Sequence, residues 1–282
     1  MGTDDLVIDV MSAADLDLVL GWAAAEGWNP GLADRDAFRR ADPEGFYLAR
    51  VAGQPAAAIS VVRYGTDFGF LGLYIAAPPY RGRGIGWATW QAGLAHLAGR
   101  TIGLDGVVAQ QDNYRKSGFV LAHRNVRFEG LAHADMPGDP RLARIGQGLL
   151  PSVLAYDRPC FGAMRDAFLV PWLRDDGRQG YAVVEDGAVR GYGVIRACRE
   201  GHKIGPLFAD DPATADLLFR ALASTVKGEP VVLDLPEPNE EAVALAERLE
   251  LSPVFETARM YRGPAPDLPL ERIYGITTFE LG

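Results

Sequence analysis

The chain has little cysteine, little histidine and no long apolar run, and each scarcity removes a class of function. Cys160 and Cys198 are far apart and without a C-x-x-C spacing, so two reduced, packed thiols in a reducing compartment are expected. His96, His123, His133 and His202 share no metal-ligand spacing with one another or with nearby acids, so no metal is expected. No apolar stretch approaches the roughly 20 residues of a membrane span. Met1-Gly2-Thr3-Asp4-Asp5 is acidic where a secretory signal would be basic, and Leu6 stands where N-terminal myristoylation needs Ser or Thr. A cytoplasmic protein with no membrane partner is the expectation. Positive charge is short as well: 28 Lys and Arg face 37 Asp and Glu, and the net charge of −9 argues against nucleic acid as a partner. What is present is a soluble globular composition, 48% apolar and 23% charged, in a chain long enough for about two domains. Monomer and homodimer both remain open.

The densest signal is Tyr80-Arg81-Gly82-Arg83-Gly84-Ile85-Gly86-Trp87-Ala88, entered from an apolar strand and leaving into a helix. Glycines at every second position let successive N–H groups point into one concavity beside a helix N-terminus, a cradle for phosphate oxygens. Arg81 and Arg83 add positive charge in a planar fork suited to those oxygens. A nucleotide-hydrolase loop needs Lys followed by Ser or Thr after its last glycine, and Ile85, Gly86 and Trp87 fill that stretch instead. A dinucleotide fingerprint needs Gly or Ala three places after Gly84, where Trp87 stands.

The remaining pattern, Arg-x-x-Gly-x-Gly at Arg81, Gly84 and Gly86, resembles the GNAT superfamily of acyl-CoA-dependent N-acyltransferases. The resemblance implies acetyl-CoA as co-substrate, its pyrophosphate held by Arg81, Gly82, Arg83, Gly84, Ile85 and Gly86. It also implies that the backbone of Leu73, Tyr74 and Ile75, on a strand predicted over 70–75, binds the pantetheine arm. Pro78 and Pro79 stop that strand's ladder.

Element order supports the resemblance over about the first half. Ser12-Ala13-Ala14-Asp15 opens a helix carrying Leu16, Val19, Leu20 and Ala23 on one face. A turn-rich loop, Glu26 to Gly31, leads to a second helix over 34–41. Strands follow over 45–51 and 57–64 around Ala52-Gly53, and over 102–109. A short helix then ends at Tyr114-Arg115-Lys116-Ser117-Gly118-Phe119, before a strand over 120–128. Met136-Pro137-Gly138-Asp139-Pro140 reads as a linker dividing 1–136 from 137–282. Beyond it the pattern returns. Phe161, Met164, Phe168, Leu169 and Trp172 mark one helical face, and strands over 181–185 and 188–197 flank Asp186-Gly187. A strand over 203–208 meets Asp211-Pro212 at a helix start; a strand over 231–235, a helix over 239–250 and a strand over 254–261 close the unit. The expected architecture is an α/β tandem of two GNAT-like folds, each a mostly antiparallel mixed sheet flanked by helices. The second half has Asp210 and Asp211 where the first has its glycine loop, and Ala246 where the family pattern puts a tyrosine. The first half keeps Tyr114.

Acyl transfer to an amine needs a neutral amine, a polarised carbonyl and a proton for the departing thiolate. The resemblance implies that Tyr114 supplies that proton, a packed tyrosine being the plainer alternative. The general base is open between Glu26, Asp105 and a water chain. Glu26, Trp28 and Asn29 lie on the loop that in this fold covers the acceptor site. Asp157 and Arg158 open the second half's first helix and either face the first half's site or, for Asp157, cap that helix. From Asp139 onward 16 Lys and Arg stand against 22 Asp and Glu, which favours a cationic acceptor. The expected activity is transfer of acetyl from acetyl-CoA to a primary amine of a small molecule, the second half shaping the acceptor site. A non-catalytic acyl-CoA sensor and a protein or peptide N-acetyltransferase are the alternatives.

Overall fold

The computed structural model describes residues 5–174 and 177–282. The first half runs β1 (Leu6–Val10), α1 (Ala13–Ala25), α2 (Asp34–Ala41), β2 (Phe46–Val51), β3 (Gln54–Tyr64), β4 (Phe68–Ala76), α3 (Ile85–His96), β5 (Thr101–Val107), α4 (Gln111–Lys116) and β6 (Val120–Leu131). The second runs β7 (Leu142–Arg144), α5 (Leu150–Phe161), α6 (Asp166–Trp172), β8 (Arg178–Glu185), β9 (Ala188–Ala197), β10 (His202–Ala209), α7 (Pro212–Ser224), β11 (Pro230–Pro236), α8 (Glu240–Arg248), β12 (Ser252–Arg262) and β13 (Ile273–Gly275).

Local chemistry places many of these boundaries. Ser12 and Asp15 close a capping box at α1, and Asp211 accepts from the Thr214 amide at α7 with Pro212 behind it. Ala52-Gly53 and Asp186-Gly187 take positive φ at both positions, the twist that two-residue hairpin turns require. The helical face read through Phe161 to Trp172 is broken: Gly162, at φ 84°, ends α5, α6 starts at Asp166, and Met164 between them is exposed.

The sheets of the two halves join into one. The described strands run β1-β2-β3-β4-β5-β12-β6-β11-β10-β9-β8-β7, with β13 added on β10. Only β4 with β5 and β10 with β11 are parallel; the other pairs are antiparallel. The halves therefore exchange strands at the centre. β12, the last long strand of the second half, pairs with β5, while β6 of the first half pairs with β11. A cross-strand ion pair marks each exchange. Arg259 of β12 lies opposite Asp105 of β5 and holds it at 2.8 and 2.7 Å, while Arg127 of β6 lies opposite Asp234 of β11 and holds it at 2.6 and 2.8 Å.

On one face of the sheet α1, α2, α5 and α6 share a core that spans both halves, with Phe38 stacked on Trp172 at 6.3 Å. The other face carries separate cores under α3 and α4 and under α7 and α8. Among the described residues no helix is long and apolar enough to cross a membrane, and no group of His, Cys, Asp and Glu could hold a metal ion.

Candidate active site

A cleft of about 630 Å³ opens where β4 and β5 part. Their parallel pairing runs from Phe68 opposite Thr101 to Leu71 opposite Leu104 and stops. Beyond it β4 is kinked. Its register against β3 slips between Gly72 and Ile75, and Leu73 takes φ 45°, a conformation costly for a non-glycine residue and held here by its surroundings. Leu73, Tyr74 and Ile75 thus line the cleft from a strand that has lost its β5 partner.

At the mouth, a turn over Pro78–Tyr80 leads to Gly82 at φ 73° and Gly84 at φ 78°, the latter being the N-cap of α3. No side chain caps this helix, so the amides of its first turn are free to meet an anion. A Cβ at Gly82 or Gly84 would meet nothing within 4 Å, so these glycines serve the left-handed backbone. Gly86 serves packing: its Cβ would lie 2.9 Å from the Tyr74 hydroxyl. Arg81 turns inward, its Nε donating to the Ala76 carbonyl at 2.8 Å and its Nη2 to the Glu26 carboxylate. Arg83 lies over the Tyr80 ring at 5.3 Å. The open amides, left-handed glycines and two arginines fit the pyrophosphate of acyl-CoA.

Residues 13–119 match the acetyltransferase (GNAT) family, and residues 153–275 match the acetyltransferase (GNAT) domain. The chain is 33% identical over 272 residues to the holothin acyltransferase of Pseudoalteromonas sp. (strain SANK 73390), across 96% of this chain and 92% of that one. This chain belongs to the GNAT acetyltransferase family. It is an acyltransferase, from a family that uses acyl-CoA. Among solved structures, a Pyrococcus horikoshii protein assigned as an acetyltransferase superposes with a TM-score of 0.83 at 24% identity, covering 100% of this chain and 98% of that one. A tandem GNAT protein from the clavulanic acid biosynthesis pathway does so at 0.63 and 17% identity, over 92% and 99%. At these identities the likeness is one of fold.

Deeper in the GNAT cleft, Tyr114 is buried and stacked on Trp90 at 5.5 Å, its ring seated where a side chain at Gly106 would have to go. Burial pushes its phenol well above the ordinary value of 10 and keeps it protonated, the state a proton donor needs. Asp105 also lines the cleft, but its oxygens are taken by Arg259 and by Asn125, which donates at 2.7 Å. It is the counterpart of Asp234 at the other strand exchange, and its geometry is that of an anchor. Glu26 reaches the cleft while bonded to Arg81.

The second half enters this cleft through residues that no sequence pattern marks. Phe255 and Thr257 come from β12, and Phe279 and Glu280 from the segment after β13. With Trp28 they wall the inner end. Arg127 stacks on Phe279 at 4.9 Å and Phe255 at 5.6 Å, and donates to the Trp28 carbonyl. Asn29, expected at the acceptor site, instead clamps the halves together. Its side chain donates to the Glu200 carbonyl at 2.8 Å and accepts from the Glu200 amide at 3.1 Å. Asp157 and Arg158 do not reach the cleft. Asp157 is buried against Arg165 and Tyr192, and Arg158 lies outside on Asp166. Asp157 sits within α5, so it does not cap that helix either.

The second half has its own parting of strands, and the chain fills it. β10 and β11 stop pairing after Ile204 opposite Leu233, and β10 continues with Gly205 and Pro206. β13 then pairs with β10, and the Ile276 amide donates to the Asp234 carbonyl of β11. A Cβ at Gly205 would lie 2.6 Å from the carbonyls of Ile276 and Thr277. Asp210 and Asp211 are spent on Arg272, Tyr156 and the α7 cap.

Proposed function

We propose that this GNAT enzyme transfers acetyl from acetyl-CoA to the primary amine of a small, flat, largely apolar molecule. The observation that carries the reading is one continuous cleft, running from an uncapped helix N-terminus to an inner end walled by Trp28, Phe255 and Phe279. The glycine turn and first-turn amides of α3 hold the pyrophosphate, with Arg81 and Arg83 at its rim. The kinked Leu73–Ile75 backbone offers main-chain groups to the pantetheine arm and an N–H to the thioester carbonyl. The bound thioester supplies an acyl carbon open to amine attack. Tyr114 donates a proton to the departing sulfur.

The walls bear on the acceptor. Aromatic faces from both halves favour a thin apolar body over a polyamine or a peptide, since Glu26 and Asp105 in the cleft are already paired with Arg81 and Arg259. The cleft, at about 630 Å³, has to take the pantetheine arm as well as the acceptor, which keeps the acceptor small. Thiol release from acetyl-CoA, followed across a panel of amines, tests this. Holothin, the compound in the name of the Pseudoalteromonas relative, belongs on that panel. Flat apolar primary amines are expected to be turned over ahead of polyamines, aminoglycosides and amino acids. Preferred turnover of polyamines or peptides would overturn the acceptor assignment.

A further inference from the structure

We propose that Glu280, carried into the first half's cleft by the C-terminal segment of the second half, is the group that takes the acceptor amine's proton. The proposal rests on the amine reading above. Its basis is placement. The Glu280 backbone lies against Gly72, where a Cβ would sit 2.1 Å from the Glu280 carbonyl, one residue before the φ 45° kink at Leu73. Ser60 Oγ donates to that carbonyl at 3.3 Å, Tyr64 to the Leu281 carbonyl at 3.0 Å and Arg165 to the Gly282 carbonyl at 3.3 Å. The segment is thus tied to β3 and α6's cap at and just after Glu280, and to β9 before it through Arg196 and the Thr277 carbonyl, which fixes it relative to the kink.

Among the described residues, the acidic ones that line the cleft are Glu26, Asp105 and Glu280. The first is bonded to Arg81 and the second to Arg259 and Asn125. Among the described residues none donates a hydrogen bond to the Glu280 carboxylate, although the residue is only 3% exposed. The charged groups around it are engaged elsewhere. Lys203 bonds the Trp28 carbonyl, Arg196 the Thr277 carbonyl, Arg127 pairs with Asp234, and Asp34 accepts from the Gly31 amide and from Arg178. Cys198 lies buried nearby, its thiol raised by burial. Burial lifts the Glu280 carboxyl above its ordinary 4.5 against the pull of Lys203, Arg196 and Arg127, in the direction a base working near neutrality needs.

In the step, the amine nitrogen forms the C–N bond as the C–S bond breaks. The nitrogen's proton passes to Glu280, and the Tyr114 hydroxyl proton passes to sulfur. Amine and thioester become amide and thiol, and solvent exchange resets both side chains.

The test compares full-length wild type, Glu280→Gln and Glu280→Asp by thiol release over a pH series, with acetyl-CoA affinity by calorimetry. Glu280→Gln is expected to bind acetyl-CoA as wild type does, lose about 10²-fold in turnover, and lose the limb over which rate rises with pH. Glu280→Asp, which keeps a carboxyl one methylene shorter, is expected to keep a rising limb, moved to lower pH, and recover part of the rate. A Glu280→Gln profile with the wild-type limb and rate would overturn the assignment while leaving amine transfer standing. Wild type that binds acetyl-CoA but releases thiol with no amine would overturn both. If Glu280→Gln does not fold, the aspartate variant decides: a limb moved to lower pH supports the assignment, and an unmoved limb at full rate refutes it.

Discussion

Tyr114 packs on Trp90 with no room behind it at Gly106, so removing its hydroxyl leaves the ring where it is. Tyr114→Phe is therefore expected to lower turnover by about 10²-fold, the scale of a lost general acid, with acetyl-CoA affinity nearly unchanged. A rate within a few-fold of wild type, measured by thiol release, would show that another group protonates the sulfur. Residues whose role is local were legible in the sequence. The Arg81 to Gly86 run predicts its turn, since left-handed glycines and a helix start are matters of a few adjacent residues. Asp105 was legible as an acid interrupting an apolar strand, but its partner Arg259 lies 154 positions away, and no short-range pattern joins them. Gly86 lines the cleft, but the close approach of the Tyr74 hydroxyl to it comes from a different element and leaves no local signal.

At the scale of elements, the exchanged strands carry the join between the halves. Burial raises the Asp234 carboxyl, but the Arg127 charge and hydrogen bonds outweigh it and hold the carboxyl below its ordinary 3.8. A carboxyl depressed in the folded state adds stability above its unfolded pKa, and loses it as pH falls through the folded one. The Asp234 contribution is thus expected to be full above about pH 4 and to fade in more acid solution. Asp234→Ala leaves Arg127 buried without its anion and is expected to cost about 3–5 kcal/mol, seen as a lower denaturant midpoint at neutral pH. The gap between variant and wild type should narrow in acid; a gap of constant size at every pH would mean that the ion pair is not the source. Strand existence was largely legible here, strand partnership was not. β6 and β12 show the alternation and apolar content of closing strands in either half, and pattern alone does not say which neighbour each takes. Asp105 and Asp234, each an acid inside an apolar closing-unit strand, were the available hint that one structural pair occurs twice.

At the scale of the whole molecule, the second half completes the first half's cleft and closes its own. Its loss of the glycine loop and tyrosine was readable from Asp210, Asp211 and Ala246. The residues by which it enters the cleft were not readable, because Phe279 and Glu280 lie in a segment with no periodicity, placed by bonds to Ser60, Tyr64 and Arg165 far away in sequence. The chain is expected to hold one acyl-CoA site, built on the first half, with the second half's parting filled by β13 and the residues after it. Calorimetric titration of the full chain with acetyl-CoA, run beside Gly84→Val, tests it most directly. Any L-residue is strained at φ 78°, and a β-branched one most of all, so the variant disturbs the cradle where no core contact is lost. One molecule is expected to bind per chain, with binding abolished in a folded Gly84→Val protein. Two comparable sites, or undiminished binding in the variant, would contradict it.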